Sequence, residues 1–129
     1  MIYIVTNAAP IVLATLAGLL VGFGYRTASG GRPTHATPLL LLAVVVAELW
    51  LAAILAGAII LAPTQAGVWV MAIGSAIVIW AGFVVPALIG ALGMRGVGPA
   101  GIARDCGYWL VVMVTQAVVL RAVGVIAPV

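Results

Sequence analysis

The sequence predicts an all-α integral membrane bundle of four transmembrane helices joined by short loops. Of its 129 residues, 67% are hydrophobic and 5% are charged, whereas soluble domains carry about 25% charged residues. The apolar runs are continuous and about 20 residues long, which suits helices that cross a bilayer core better than the alternating strands of a membrane barrel. We expect one domain, residues 1–129, whose spans cover about residues 2–25, 39–61, 67–92 and 107–126.

Glycine, proline and polar residues separate these runs. Residues 26–38 and 93–105 are polar segments punctuated by Gly and Pro, and residues 62–65 form a turn without charge; such segments interrupt helices. Within the third run, Pro86 cannot donate a hydrogen bond to the carbonyl of Gly82, so we expect a kink there.

Small residues recur at helical spacing in the first two runs. Gly18 and Gly22 form a GxxxG pattern, and Ala53 and Gly57 repeat the spacing. Small residues let helix backbones approach closely in lipid. We expect contacts inside the bundle, with a homodimer face as the alternative.

The arginines predict the orientation. Arg26, Arg32, Arg95 and Arg104 fall in the two loops that share one side, and Arg121 lies near the other side. Excess arginine marks the cytoplasmic face, so both termini should be periplasmic. Abundant Ala, Gly, Val and Arg favour a bacterial inner membrane.

The positions of the aromatic residues agree with the predicted spans, since Tyr and Trp are enriched at membrane interfaces. Tyr25 and Tyr108 fall near the predicted inner boundary, and Tyr3 near the outer one. Trp50 and Trp80 lie deeper and either pack between helices or face lipid tails, and of these we expect packing.

Glu48 is the most informative residue. It lies about ten residues into the second span, which places it about 15 Å deep and close to the midplane. A carboxylate there costs several kcal/mol unless it is paired, hydrated or protonated. Its role is either structural, as an acid that locks two helices together, or functional, as a proton-transfer or ligand-binding group.

Two partners for Glu48 lie on the fourth span. Gln116 has a similar depth, and Arg121 lies about 7 Å further out, roughly 140° around the helix. A straight helix cannot direct both side chains at one point, so we expect Gln116 to bond to Glu48. Arg121 is expected to extend to the outer headgroups.

The sequence gives little support for metal binding, catalysis or nucleic-acid binding. His35 has no neighbouring ligands for a metal, and Cys106 has no histidine to act as its base. We therefore predict no catalytic residue, no metal site, no cofactor identifiable from the sequence and no enzyme. A net charge of +3 from scattered arginines is no basic stripe, which excludes nucleic acid as a partner.

The first, third and fourth spans each contain a short motif that combines glycine with aromatic residues: Gly22-Phe-Gly-Tyr25, Trp80-Ala-Gly-Phe83 and Asp105-Cys-Gly-Tyr-Trp109. They resemble a small bacterial four-helix membrane family known only as a domain of unknown function. The chain departs from it at Arg26-Thr27, where a serine-proline pair is expected. The resemblance covers nearly the whole chain and implies four spans, without an activity or a catalytic residue.

Two functions remain. The first is a non-enzymatic accessory or structural subunit that packs beside other membrane subunits or copies of itself. The alternative is a small proton-coupled transporter or channel that uses Glu48. Four spans and one intramembrane glutamate are similar to the small multidrug transporter family, although its essential glutamate belongs to the first helix.

Overall fold

A computed structural model of the chain describes residues 1–29 and 36–128. Arg32 and His35, which the sequence analysis assigned to a loop, lie outside the described residues. The described part contains four helices long and apolar enough to cross a membrane, so the chain is an all-α integral membrane bundle. The first to fourth spans are Ala8–Ala28, Pro38–Leu61, Val68–Gly93 and Pro99–Val123.

Contacts at both ends show how the spans are arranged. The Tyr25 ring, near the end of the first span, lies 4.9 Å from the Tyr108 ring, near the start of the fourth. At the opposite end, Asn7 hydrogen-bonds to Ile126 beyond the fourth span. The two helices are therefore antiparallel neighbours. We call the end that carries Arg26 the arginine end, and the end that carries both termini the terminal end.

The first, second and fourth spans form what we call the three-helix core. Its buried apolar residues include Ile11 from the first span, Leu55 from the second, and Met113 and Leu120 from the fourth. The third span packs mainly against the fourth. Only 11% of its most apolar stretch is buried, against 28–33% in the other spans.

The third span contains a π-helical turn, Trp80–Val84, between the α-helices Val68–Ile79 and Val85–Gly93. It lies directly before Pro86, whose ring removes one backbone donor and crowds the preceding turn. A wider turn is one way for a helix to absorb that disturbance. The structure thus shows a π-turn before Pro86, whereas the kink expected there stays a prediction.

Two predicted boundaries differ from the structure. The fourth span begins at Pro99 rather than near residue 107, because proline is favoured at the first position of a helix and the charged Arg104 and Asp105 can lie on a helical turn outside the lipid. At the N-terminus the helix Ile2–Thr6 ends before Asn7, and the first span begins at Ala8.

The two deep tryptophans have different environments. Trp80 is half-buried and its indole donates a 2.8 Å hydrogen bond to the carbonyl of Cys106, which joins the third and fourth spans. Trp50 is 55% exposed on the outer surface of the bundle. The expectation that both pack between helices is therefore wrong for Trp50, since an indole on this surface can face lipid.

Candidate intramembrane polar site

Glu48 lies inside the three-helix core. It is 1% exposed, and Gln116 on the fourth span is fully buried beside it. The Gln116 amide donates a long hydrogen bond of 3.4 Å to the backbone carbonyl of Glu48. The structure therefore brings these two residues together, but the hydrogen bond goes to the backbone of Glu48 and not to its carboxyl group.

Gly18 of the first span packs directly against the side chains of Glu48 and Gln116. A Cβ atom built on Gly18 would collide with Oε2 of Glu48 and would lie 2.9 Å from Nε2 of Gln116. Hydrogen is the largest group that fits at this position without displacing polar side chains. The first glycine of the GxxxG pattern thus serves a contact inside the bundle, where the backbone of the first span covers the carboxyl group.

Two hydrogen-bond acceptors are enclosed here without a partner among the described residues: Oε2 of Glu48 and Oε1 of Gln116. A buried acceptor without a donor costs about 1–3 kcal/mol. The carboxyl group therefore needs either a proton of its own or a water molecule to complete its hydrogen bonding.

A pocket of about 260 Å³ lies next to Glu48, between this residue and the arginine end of the bundle. Its walls come from three spans: Arg26 from the first, Ala43, Val44 and Ala47 from the second, and Tyr108 and Trp109 from the fourth. The Tyr108 hydroxyl also lies over Gly22, where a Cβ would be 2.7 Å from it. The second glycine of the GxxxG pattern thus makes room for a side chain that lines the pocket.

The structure does not bring Arg121 to this site. Arg121 lines a separate pocket of about 240 Å³ at the terminal end, together with Pro63 and Thr64 of the loop between the second and third spans. The charged residue that shares a pocket with Glu48 is Arg26. The sequence predicts Arg26 in a loop, whereas it lies in the last turn of the first span.

Asn7 is a buried polar residue that the sequence analysis missed. Its side chain donates to the carbonyl of Ile126 at 2.8 Å and accepts from the Ile126 amide at 2.6 Å. It also donates to the carbonyl of Tyr3. An amide near the start of an apolar run, three residues before Pro10, is a usable signal for a helix break, but nothing in the sequence names its distant partner.

In the part of the chain that the structure describes, no three His, Cys, Asp or Glu residues lie close enough together to bind a metal ion. Cys106 is buried and unpaired.

Comparison of the chain with protein-family models, with curated proteins and with solved structures finds no match in any of the three. The resemblance to a family of unknown function therefore stays a prediction.

Proposed function

We propose that this chain is a non-enzymatic structural or accessory membrane protein that packs beside other membrane subunits or copies of itself. The observation that carries the proposal is the close packing around Glu48. Gly18 and Gln116 enclose one carboxyl oxygen so tightly that a single added methyl group would displace it. An acid held in this way is suited to fixing three helices against one another.

The third span supports the assembly part of the proposal. Only 11% of its most apolar stretch is buried inside the bundle, and a Cβ at Gly74, Gly82 or Gly90 would meet no atom within 4 Å. Small residues on an uncovered helix permit close approach of another helix. We infer that this span faces neighbouring subunits in the membrane.

The arginine distribution supports a location and an orientation. Arg26, Arg95 and Arg104 lie at or beside one end of the described bundle. Arginine excess is typical of the cytoplasmic side. We propose a bacterial inner membrane protein whose two termini are periplasmic.

A small proton-coupled transporter or channel is the second candidate. The observation in its favour is the pocket beside Glu48, because it offers a route between the arginine end and a midplane acid. The continuous apolar core on the other side of Glu48 argues against it, since a transported ion must leave by the opposite face.

The variant Glu48→Gln separates the two candidates, because glutamine keeps the size and hydrogen-bonding capacity of the acid but cannot carry a proton. The proposed structural role predicts that unmodified protein and E48Q have the same association state in mild detergent and a similar unfolding temperature. It also predicts that neither moves protons in liposomes that contain a pH-sensitive dye. Asp105→Asn, which removes the other acidic side chain, is the matched control.

Proton movement in the unmodified protein that E48Q abolishes would overturn the structural role in favour of transport. The assembly part has its own test in light scattering of protein extracted gently from its native membrane. A mass corresponding to a single 13.0 kDa chain, after correction for detergent, would contradict it.

A further inference from the structure

The pocket beside Glu48 opens in one direction along the bundle. The residues of the second span that line it, Ala43, Val44 and Ala47, all lie between Glu48 and Pro38, where that span starts at the arginine end. Tyr108 and Trp109 lie two turns or so before Gln116 on the fourth span, again toward the arginine end. These residues place the pocket between the carboxyl group and the arginine end, and Arg26, Ala43 and Ala47 in its wall are exposed.

The opposite side of Glu48 is closed. Toward the terminal end, the three-helix core is filled with fully buried side chains such as Ala52, Leu55 and Leu120, with Ala14 and Ala117 beside them. The buried Thr15 hydroxyl on that side donates to the carbonyl of Ile11 in its own helix, and apolar surroundings of this kind do not hold water. The core thus separates Glu48 from the membrane face that carries the termini.

We propose that the pocket admits water from the arginine end and makes Glu48 a proton-binding site that exchanges with that side of the membrane alone. Its volume of about 260 Å³ holds several water molecules, since each occupies roughly 30 Å³ in the liquid. Water in the pocket can bond to the carboxyl group, the Arg26 guanidinium and the Tyr108 hydroxyl. A proton that leaves the carboxyl passes to this water and then to the solution at the arginine end.

The charged and titratable groups around the site come from each of the three spans packed against it. Arg26 belongs to the first span and Tyr108 to the fourth, and the Tyr25 ring of the first span lies against Tyr108. Glu48 itself is the acid of the second span. Among the described residues that line the pocket, none belongs to the third span. The inference does not depend on the proposed subunit role, since a structural acid can also exchange protons.

The test is labelling of Glu48 in sealed vesicles by a water-soluble carbodiimide and an amine. An Asp105→Asn background leaves Glu48 as the only acidic side chain of the sequence. A cleavable tag at the N-terminus reports which end of the bundle faces outward. Peptide mass spectrometry is expected to find the amine on Glu48 when the reagents reach the arginine end, and several-fold less when they reach the terminal end.

Two further variants test the route itself. Ala47→Leu fills the pocket and should lower the labelling several-fold, whereas Val46→Leu, beside it on the same helix but outside the pocket wall, should leave it unchanged. Equal labelling of A47L and V46L would overturn the pocket as the route. Labelling from both ends would overturn one-sided exchange and favour a transport path, and no labelling from either end would overturn an open route from the solution to Glu48.

Infrared spectroscopy of unmodified folded protein keeps the inference testable if A47L does not fold. A carboxylic acid band that is absent in E48Q should shift on transfer to D₂O and change with pH. A band from Glu48 that neither shifts nor titrates would overturn the proposal without bearing on the association state.

Discussion

The three-helix core and the third span use glycine in opposite ways. In the core, Gly18, Gly22 and Gly57 each lie under a polar or aromatic side chain, so that a Cβ would come within about 3 Å of Glu48, Tyr108 or Tyr3, respectively. In the third span, Gly74, Gly82 and Gly90 have open space around them. The same residue type therefore reports close packing in one region and an uncovered surface in the other, and the sequence alone does not distinguish the two.

Burial of polar groups follows the same division. Glu48, Gln116 and Asn7 are all almost completely buried, and all three lie within the core or at the junction of its first and fourth spans. The third span contributes a π-turn, the half-buried Trp80 and a serine bonded to its own helix. Helices in lipid are held together by packing and by polar contacts rather than by a hydrophobic effect between them. The core should therefore be the more stable unit.

The largest effect should come from Gly18→Ala, compared with Gly74→Ala. The added methyl group at position 18 displaces the Glu48 carboxyl and the Gln116 amide, and we expect a loss of about 2–3 kcal/mol of stability. At position 74 it meets open space and replaces a poor helix former, so the change should stay within about 1 kcal/mol. Unfolding in mild detergent monitored by circular dichroism measures both. Equal effects would mean that the two regions do not differ in packing.

A smaller effect is expected from Asn7→Ala, which removes both hydrogen bonds between the start of the first span and Ile126. The loss should be about 1–2 kcal/mol, and it should release residues 124–128 before the helices unfold. Hydrogen exchange of the Ile126 amide is the direct measurement. Thr6→Ala is the matched control, because the Thr6 hydroxyl is exposed and bonds within its own short helix; faster exchange in both variants would contradict a specific role for Asn7.

The smallest effect should come from Trp80→Phe, which removes the indole hydrogen bond to Cys106 and keeps an aromatic ring. We expect a loss of about 0.5–1.5 kcal/mol in the attachment of the third span to the fourth. Trp50→Phe, on the exposed face of the second span, should change stability by less. If Trp50→Phe is the more damaging of the two, the exposed face of the second span carries a contact that the isolated bundle does not show.

Much of the architecture could be predicted because lipid imposes strict requirements on a sequence. Four long apolar runs and one acid in the middle of the second run are visible without coordinates. The start of the fourth span was placed too late, since Arg104 and Asp105 resemble loop residues although they lie on helical turns. The break at Asn7 was missed because a single amide barely alters the hydropathy of an otherwise continuous run.

The candidate site was predictable only in part. The depths of Glu48 and Gln116 along their helices suggested a pair, since depth follows from residue count and helical rise. The part played by Arg26 did not follow, because the rotation of each helix about its axis decides which residues share a pocket. The placement of Gly18 over the carboxyl group depends on the same rotation.

The composition and the spacing of apolar runs by themselves determined that this chain is a four-helix membrane protein, because an apolar solvent permits few other structures for such a sequence. Tertiary structure alone decided that the first, second and fourth spans enclose Glu48, that Arg26 and Tyr108 share a pocket with it, and that the third span packs mainly against the fourth. The physical reason is that all four helices are apolar on most of their surface, so hydropathy does not indicate which face of each helix is buried. Only the fit of small and polar side chains selects which faces meet.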